Sequence, residues 1–151
     1  MQRSAWNAAL FSSLMLVAIS ALPVATATSA EAADRLIREC RAEGPGDISM
    51  QARFERRDAR RKFSVEFEAA PGGAFREGQR IGFLVAGENV GTRRLETVVG
   101  GDLVADLNLD TQAGPNDPDE DPFPANFPPV QRGTQVRVKA GGEVVLGCAL
   151  R

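Results

Sequence analysis

The chain has 151 residues, with 18 Lys and Arg against 20 Asp and Glu, a formal net charge of −2, and neither histidine nor tyrosine. Without an imidazole, Ser–His and Cys–His nucleophilic systems are excluded, as are His-ligated zinc, copper and non-haem iron sites. Two cysteines, Cys40 and Cys148, are too few to hold structural zinc alone, and in an exported chain they read as one disulfide.

Residues 1–32 have the composition of a secretory signal peptide. Arg3 supplies the positive start, Ala8 to Leu22 is apolar except for three serines, and Ala25-Thr26-Ala27 and Ala30-Glu31-Ala32 offer small-residue cleavage patterns. The apolar run, about 15 residues, is shorter than the roughly 20 a spanning helix requires. No later run approaches that length, so the processed chain is expected to carry no transmembrane segment and to be periplasmic or secreted. Arg38 and Glu39 before Cys40 do not form a lipidation signal.

Residues 33–151 then make one domain. Asp34 to Glu43 sets Leu36 and Cys40 at i, i+4, a spacing that suits one or two helical turns, and Gly44-Pro45-Gly46-Asp47 ends that segment. The period next becomes two. Ile48, Met50, Ala52 and Phe54 alternate with polar residues, the Arg57-Asp58-Ala59-Arg60 turn follows, and Phe63, Val65, Phe67 and Ala69 return, predicting an antiparallel hairpin.

After the Ala70-Pro71-Gly72-Gly73 turn, Phe75 is expected to tuck back as a loop anchor. Ile81, Phe83 and Val85 mark a strand ended by the Gly87 to Gly91 stretch, and a further strand is expected over Leu95 to Val99. Leu103, Ala105, Leu107 and Leu109 point inward from the next. Val136 and Val138 lead through Ala140-Gly141-Gly142 to a last strand with Val144, Leu146, Cys148 and Leu150 on one face. The segment 111–133 contains six prolines, which exclude a central strand or helix; its acidic first half reads as mobile, and Phe123 to Pro129 as a strap whose Phe rings pack on the domain.

The fold predicted is all-β: a single antiparallel two-sheet sandwich, loosely immunoglobulin-like, of about seven strands. A short N-terminal helical or extended segment is tied on by the Cys40–Cys148 disulfide. That bond closes a loop on the order of 100 residues, for which chain entropy gives about 4.7 kcal/mol.

The candidate sites are few. Asp106, Asn108, Asp110, Asp117, Asp119 and Asp121 are hard oxygen donors of the kind calcium takes, although Thr111 stands where an EF-hand loop needs glycine. Arg56, Arg57, Arg60 and Arg61 cluster at a hairpin tip and form a candidate anion site, without the aromatics or basic helix that nucleic-acid binding uses. Glu66 and Glu68 share a strand face about 7 Å apart, within the range of glycosidase carboxylates, but solvated strand glutamates are the ordinary outcome. A Ser–Lys pair would have to come from Ser49 or Ser64 with Lys62 or Lys139, with no motif around them. Asp110-Thr111-Gln112 lacks the glycine of an aspartic-protease triplet.

The run Phe63-Ser-Val-Glu-Phe-Glu, with Pro71-Gly-Gly, Gly91-Thr, Gly101 to Asp110 and Gly133-Thr134, resembles small secreted bacterial β-modules of unknown function. The resemblance rests on strand rhythm and glycines and implies a fold and a location, with no catalytic residue. Taken together, these features describe a non-catalytic exported binding or structural module whose partner is a protein or an envelope polymer. A calcium- or anion-responsive adhesion protein is the alternative, and a small hydrolase using surface carboxylates is the third reading.

Overall fold

Period-two alternation of apolar side chains gives each strand one dry and one wet face, and two sheets bury their dry faces in a single apolar cluster. The computed structural model describes residues 35–151; the export segment read over 1–32 lies outside them. Among the described residues there is no helix. One sheet has the strand order β1 (Arg35–Gly44), β2 (Ile48–Arg57), β3 (Arg60–Ala69), β7 (Leu103–Asp110), β6 (Glu96–Thr97), with β8 (Asp121–Pro122) also on β7. The other runs β10 (Glu143–Ala149), β9 (Gln135–Ala140), β4 (Arg80–Val85), β5 (Glu88–Arg94). Every pairing is antiparallel except that of β7 with β8.

Three expected strand runs are present with the expected inward rows. Met50, Ala52 and Phe54 on β2, Phe63, Val65 and Phe67 on β3, and Ala105, Leu107 and Leu109 on β7 are all buried. The turn between β2 and β3 is Asp58-Ala59, and Phe54 lies opposite Phe63. Phe75 returns to the core edge-on to Phe67, with ring centroids 5.1 Å apart. Phe127 of the Pro-rich strap packs on Phe54 and Phe63, at 6.5 and 5.4 Å.

The N-terminal segment is extended, not helical. β1 pairs residue by residue with β2, from Arg35 opposite Arg57 to Gly44 opposite Ile48. Residues four apart share a face in a strand as they do in a helix, so Leu36 and Cys40 fit both periods, and ten ladder partners on β2 decide for the strand.

Gly87 to Gly91 does not end the β4 strand region; Ala86-Gly87 is a two-residue turn and β5 begins at Glu88. Ala86 and Gly87 both have positive φ, 49° and 91°, the backbone twist that joins two antiparallel strands tightly. Gly91 lies inside the strand because a Cβ there would stand 2.6 Å from Leu107 Cδ2 of the opposite sheet. The chain then crosses between sheets at the fully buried Leu95, and the expected strand over Leu95 to Val99 reduces to the two residues of β6. On β10 the inward row is broken by a bulge between Val144 and Leu146, which leaves Val144 half exposed while Leu150 is buried.

Cys40 and Cys148 form the disulfide, with Cα atoms 5.8 Å apart. β1 is the outermost strand of its sheet and β10 the outermost of the other, so the bond joins two edges that face each other. Reciprocal backbone hydrogen bonds between Glu39 and Arg151, at 3.0 and 3.4 Å, continue the same seam.

Replacing both Cys40 and Cys148 by Ala is expected to lower unfolding free energy by about 2–5 kcal/mol, read as a shift in denaturant midpoint. Gly91→Ala should cost about 1–3 kcal/mol by overpacking against Leu107. In a double-mutant cycle with Leu107→Ala the two losses should be less than additive, because the second change removes the atoms that the first collides with.

Candidate functional site

The outer face of the six-stranded sheet is a lattice of charges set by register. Rows run across it: Arg41, Gln51, Glu66 and Asp106; Glu39, Arg53, Ser64 and Asn108; and Glu55, Lys62 and Asp110. Most of these groups are engaged. Arg53 pairs with both Glu39 and Glu55, Arg35 Nε lies 2.9 Å from Glu55 Oε1, and Arg41 hydrogen-bonds Gln51. Ser49 donates to Glu68 at 3.1 Å.

At the β7 end of this lattice Asp110 is fully buried, although its position in the alternation assigns it to the wet face. The segment after β7 turns back across it. Arg60 approaches the carboxylate with two nitrogens, Nη2 at 2.5 Å and Nε at 3.0 Å from Oδ2, and Lys62 Nζ stands 3.1 Å away. The Gln112 backbone N–H donates to Oδ1 at 2.8 Å, and Lys62 reaches on to Glu120 at 2.5 Å. Burial pushes the Asp110 carboxyl up, but the hydrogen bonds from Arg60, the Gln112 amide and Lys62 outweigh it and hold the group well below the usual carboxylate range. The same contacts, from Glu120 first and Asp110 second, raise the Lys62 ammonium, the reverse of what a Ser–Lys base requires.

The six oxygen donors expected to hold calcium are not brought together. Asp110 is consumed by Arg60 and Lys62, Asp121 pairs with Arg93, and Asn108 donates to Asp106 at 3.0 Å on the open sheet face. Asp117 and Asp119 are exposed in the loop, where the Asp119 amide turns toward the Asp117 carboxylate. Among the described residues no three acidic, Cys or His side chains gather around a metal-sized space. Spacing in sequence placed these groups on one strand and one loop; in the fold Asp110 goes to cations of β3, Asp121 to Arg93 of β5, and the others stay apart.

The arginine tip is likewise divided. Arg60 belongs to Asp110, and the Arg61 guanidinium lies over the Phe123 ring at 4.9 Å while its backbone N–H donates to Thr111 Oγ1 at 2.9 Å. Arg56 and Arg57 are exposed at the end of β2. The tip therefore holds the loop that follows β7. Glu66, Glu68 and Asp106 remain as an exposed acidic group; partial burial first, and then the charges of Glu68 and Asp106, raise the Glu66 carboxyl, against the opposing pull of Arg41.

The outer face of the four-stranded sheet is the opposite case and was not legible as a site. Register places Arg94 beside Arg80, Thr92 beside Gly82 and Lys139, and Leu84 beside Arg137. Four cations from three strands thus share one face, and among the described residues none of them is in an ion pair. They are separated by up to 59 positions in the chain, so no local pattern announces them.

No protein-family model matches the chain, no curated protein sequence matches it, and no solved structure matches its fold.

Because the folded Asp110 carboxyl is held below its ordinary value of 3.8, its stabilisation is complete above that value and is lost as pH falls through and below it. Asp110→Asn is expected to lose about 1–3 kcal/mol at neutral pH and to flatten the acid side of the stability profile. Denaturant titrations between pH 7 and pH 2.5 measure both effects. A variant whose acid limb parallels that of the parent would show that Asp110 is not the group responsible.

Proposed function

We propose that this chain is an exported, non-catalytic binding module of the periplasm or extracellular space, built as a loosely immunoglobulin-like sandwich and akin to the small secreted bacterial β-modules its strand rhythm resembles. The observation that carries the reading is the partition of charge between two disulfide-linked sheets: at least seven ion pairs involve the six-stranded sheet, whereas Arg80, Arg137 and Lys139 on the outer face of the four-stranded sheet are in none among the described residues. Broad, flat, charged faces suit recognition of a large partner, whereas catalysis calls for a recessed group with a tuned pKa. The absence of histidine from the chain points the same way, and the disulfide favours an oxidising compartment.

Expressed in a bacterial host with its own N-terminus, the chain should be recovered outside the cytoplasm, start after Ala27 or Ala32, and show no thiol reactive in the absence of reductant. It should be retained by delipidated envelope polymer in a salt-sensitive way and release no new reducing ends, amines or phosphate from it. Retention in the cytoplasm with free thiols defeats the export reading. Product release defeats the non-catalytic one.

A further inference from the structure

The cations on the outer face of the four-stranded sheet flank an open floor. Residues Arg80, Gly82, Leu84, Asn89 and Lys139 line a shallow trough of about 520 Å³, closed at one end by the Gly141-Gly142 turn. A second trough of about 530 Å³ shares Gly87 with the first and continues past Arg137, Arg132 and the Pro128-Pro129 rim. Within the four strands the carboxylates are Glu88 and Glu143, both at strand starts beside turns, and neither lines the first trough. Arg94 stands apart from that trough: it donates to Gly78 O at 2.8 Å and lines a separate recess with Glu96 and Asp119.

The floor itself calls for an explanation. Glycine inside a strand weakens it and commonly marks either crowding or the close approach of something else. Three of the four strand glycines are crowded. A Cβ at Gly44 would meet Ile48 Cγ1 at 2.9 Å, at Gly91 it would meet Leu107, and at Gly147 it would meet Arg137 Cγ at 3.1 Å and Val136 O at 3.2 Å. Gly82 is different: the nearest atoms to its Cβ position are Lys139 Cβ at 3.9 Å and Lys139 O at 4.0 Å, ordinary contact distance, and its φ is not positive. Neither packing nor backbone conformation requires glycine there, yet its effect is to leave backbone bare between Arg80 and Lys139.

We propose that this glycine-floored cationic face binds an acidic polysaccharide, with the sugar rings lying over Gly82 and their carboxylates met by Arg80, Arg137 and Lys139. A flat ring needs a floor without side chains, and a repeating anion needs cations distributed along the path. Successive outward residues on β9, Arg137 and Lys139, stand about 7 Å apart. The face presents no aromatic ring on which nucleobases would stack. Its apolar side chains, Leu84 and Val144, are too few to enter a lipid surface. The net charge of the chain is −2, so attraction of a polyanion must be local to this face rather than global. The proposal rests on the binding-module reading and names its surface and ligand class.

The test is isothermal titration of the oxidised chain with polygalacturonate at low ionic strength, with neutral dextran, duplex DNA and anionic phospholipid vesicles as comparators. Saturable binding to polygalacturonate that weakens with salt is expected, with none to dextran. Gly82→Val fills the floor with a residue suited to strands, and Arg137→Glu with Lys139→Glu reverses two charges. Each should weaken binding by about tenfold or more, while Arg57→Glu at the hairpin tip should leave it unchanged. Circular dichroism and thermal midpoints certify that the variants are folded; should the double charge reversal not fold, Gly82→Val decides.

Equal weakening by Arg57→Glu, undiminished binding by Gly82→Val, or tighter binding to DNA or vesicles overturns the assignment. If envelope polymer is still retained in any of those cases, the face or ligand class is wrong and the binding-module reading survives. If neither polygalacturonate nor envelope polymer is bound, both fall.

Discussion

The covalent seam between Cys40 and Cys148 sets the geometry on which the remaining structure depends. It lies where the last strand of one sheet meets the last strand of the other, and the Glu39–Arg151 backbone hydrogen bonds extend it. Edge strands expose unpaired amides and carbonyls and are open to sliding or foreign pairing. Joining the two edges removes that freedom on one side of the domain. Across the domain, close approach of Gly91 to Leu107 brings β5 against β7, and the Arg93–Asp121 pair joins β5 to β8. The two outer faces are therefore held back to back, each with a fixed register and a fixed set of side chains.

That arrangement gives the two faces different electrostatic characters. On the six-stranded sheet, Arg35, Arg53, Arg60 and Lys62 meet carboxylates across the ladders and cancel them locally, while Glu66, Glu68 and Asp106 stay together as an acidic group; Asp110, sealed beneath the segment that follows β7, is the tightest pairing. Exposed pairs of this kind contribute little individually, but they leave few groups for a ligand. On the four-stranded sheet Arg80, Arg137 and Lys139 are in no ion pair among the described residues, so their field is left open to a ligand. The hairpin tip, richest in arginine by sequence, is tied to its own loop through Asp110, Phe123 and Thr111.

The places where pattern reading faltered have identifiable physical causes. β1 was ambiguous because helix and strand periods coincide at a spacing of four, so Leu36 and Cys40 carried no discriminating information. β5 was obscured because glycine is a turn signal when read locally, whereas Gly91 answers to a leucine in the other sheet. The calcium reading counted oxygen donors without the cations that would reach them first; Asp110 alternates as a solvent-facing residue and is nevertheless buried by a loop whose path no local rule specifies.

What the amino-acid order determined by itself was local: the all-β class from alternation, the β2–β3 and β9–β10 hairpins from their turns, the inward row of β7, the packing of Phe75 and Phe127, and the pairing of the only two cysteines. Only the tertiary structure decided which sheet each strand joins, what Asp110 touches, and that Arg80, Arg137 and Lys139 share one face with Gly82. The reason lies in the range of the forces. Alternation and turn propensity act over a few residues, whereas ion pairing and close packing depend on neighbours that chain folding brings together from 50 or more positions away.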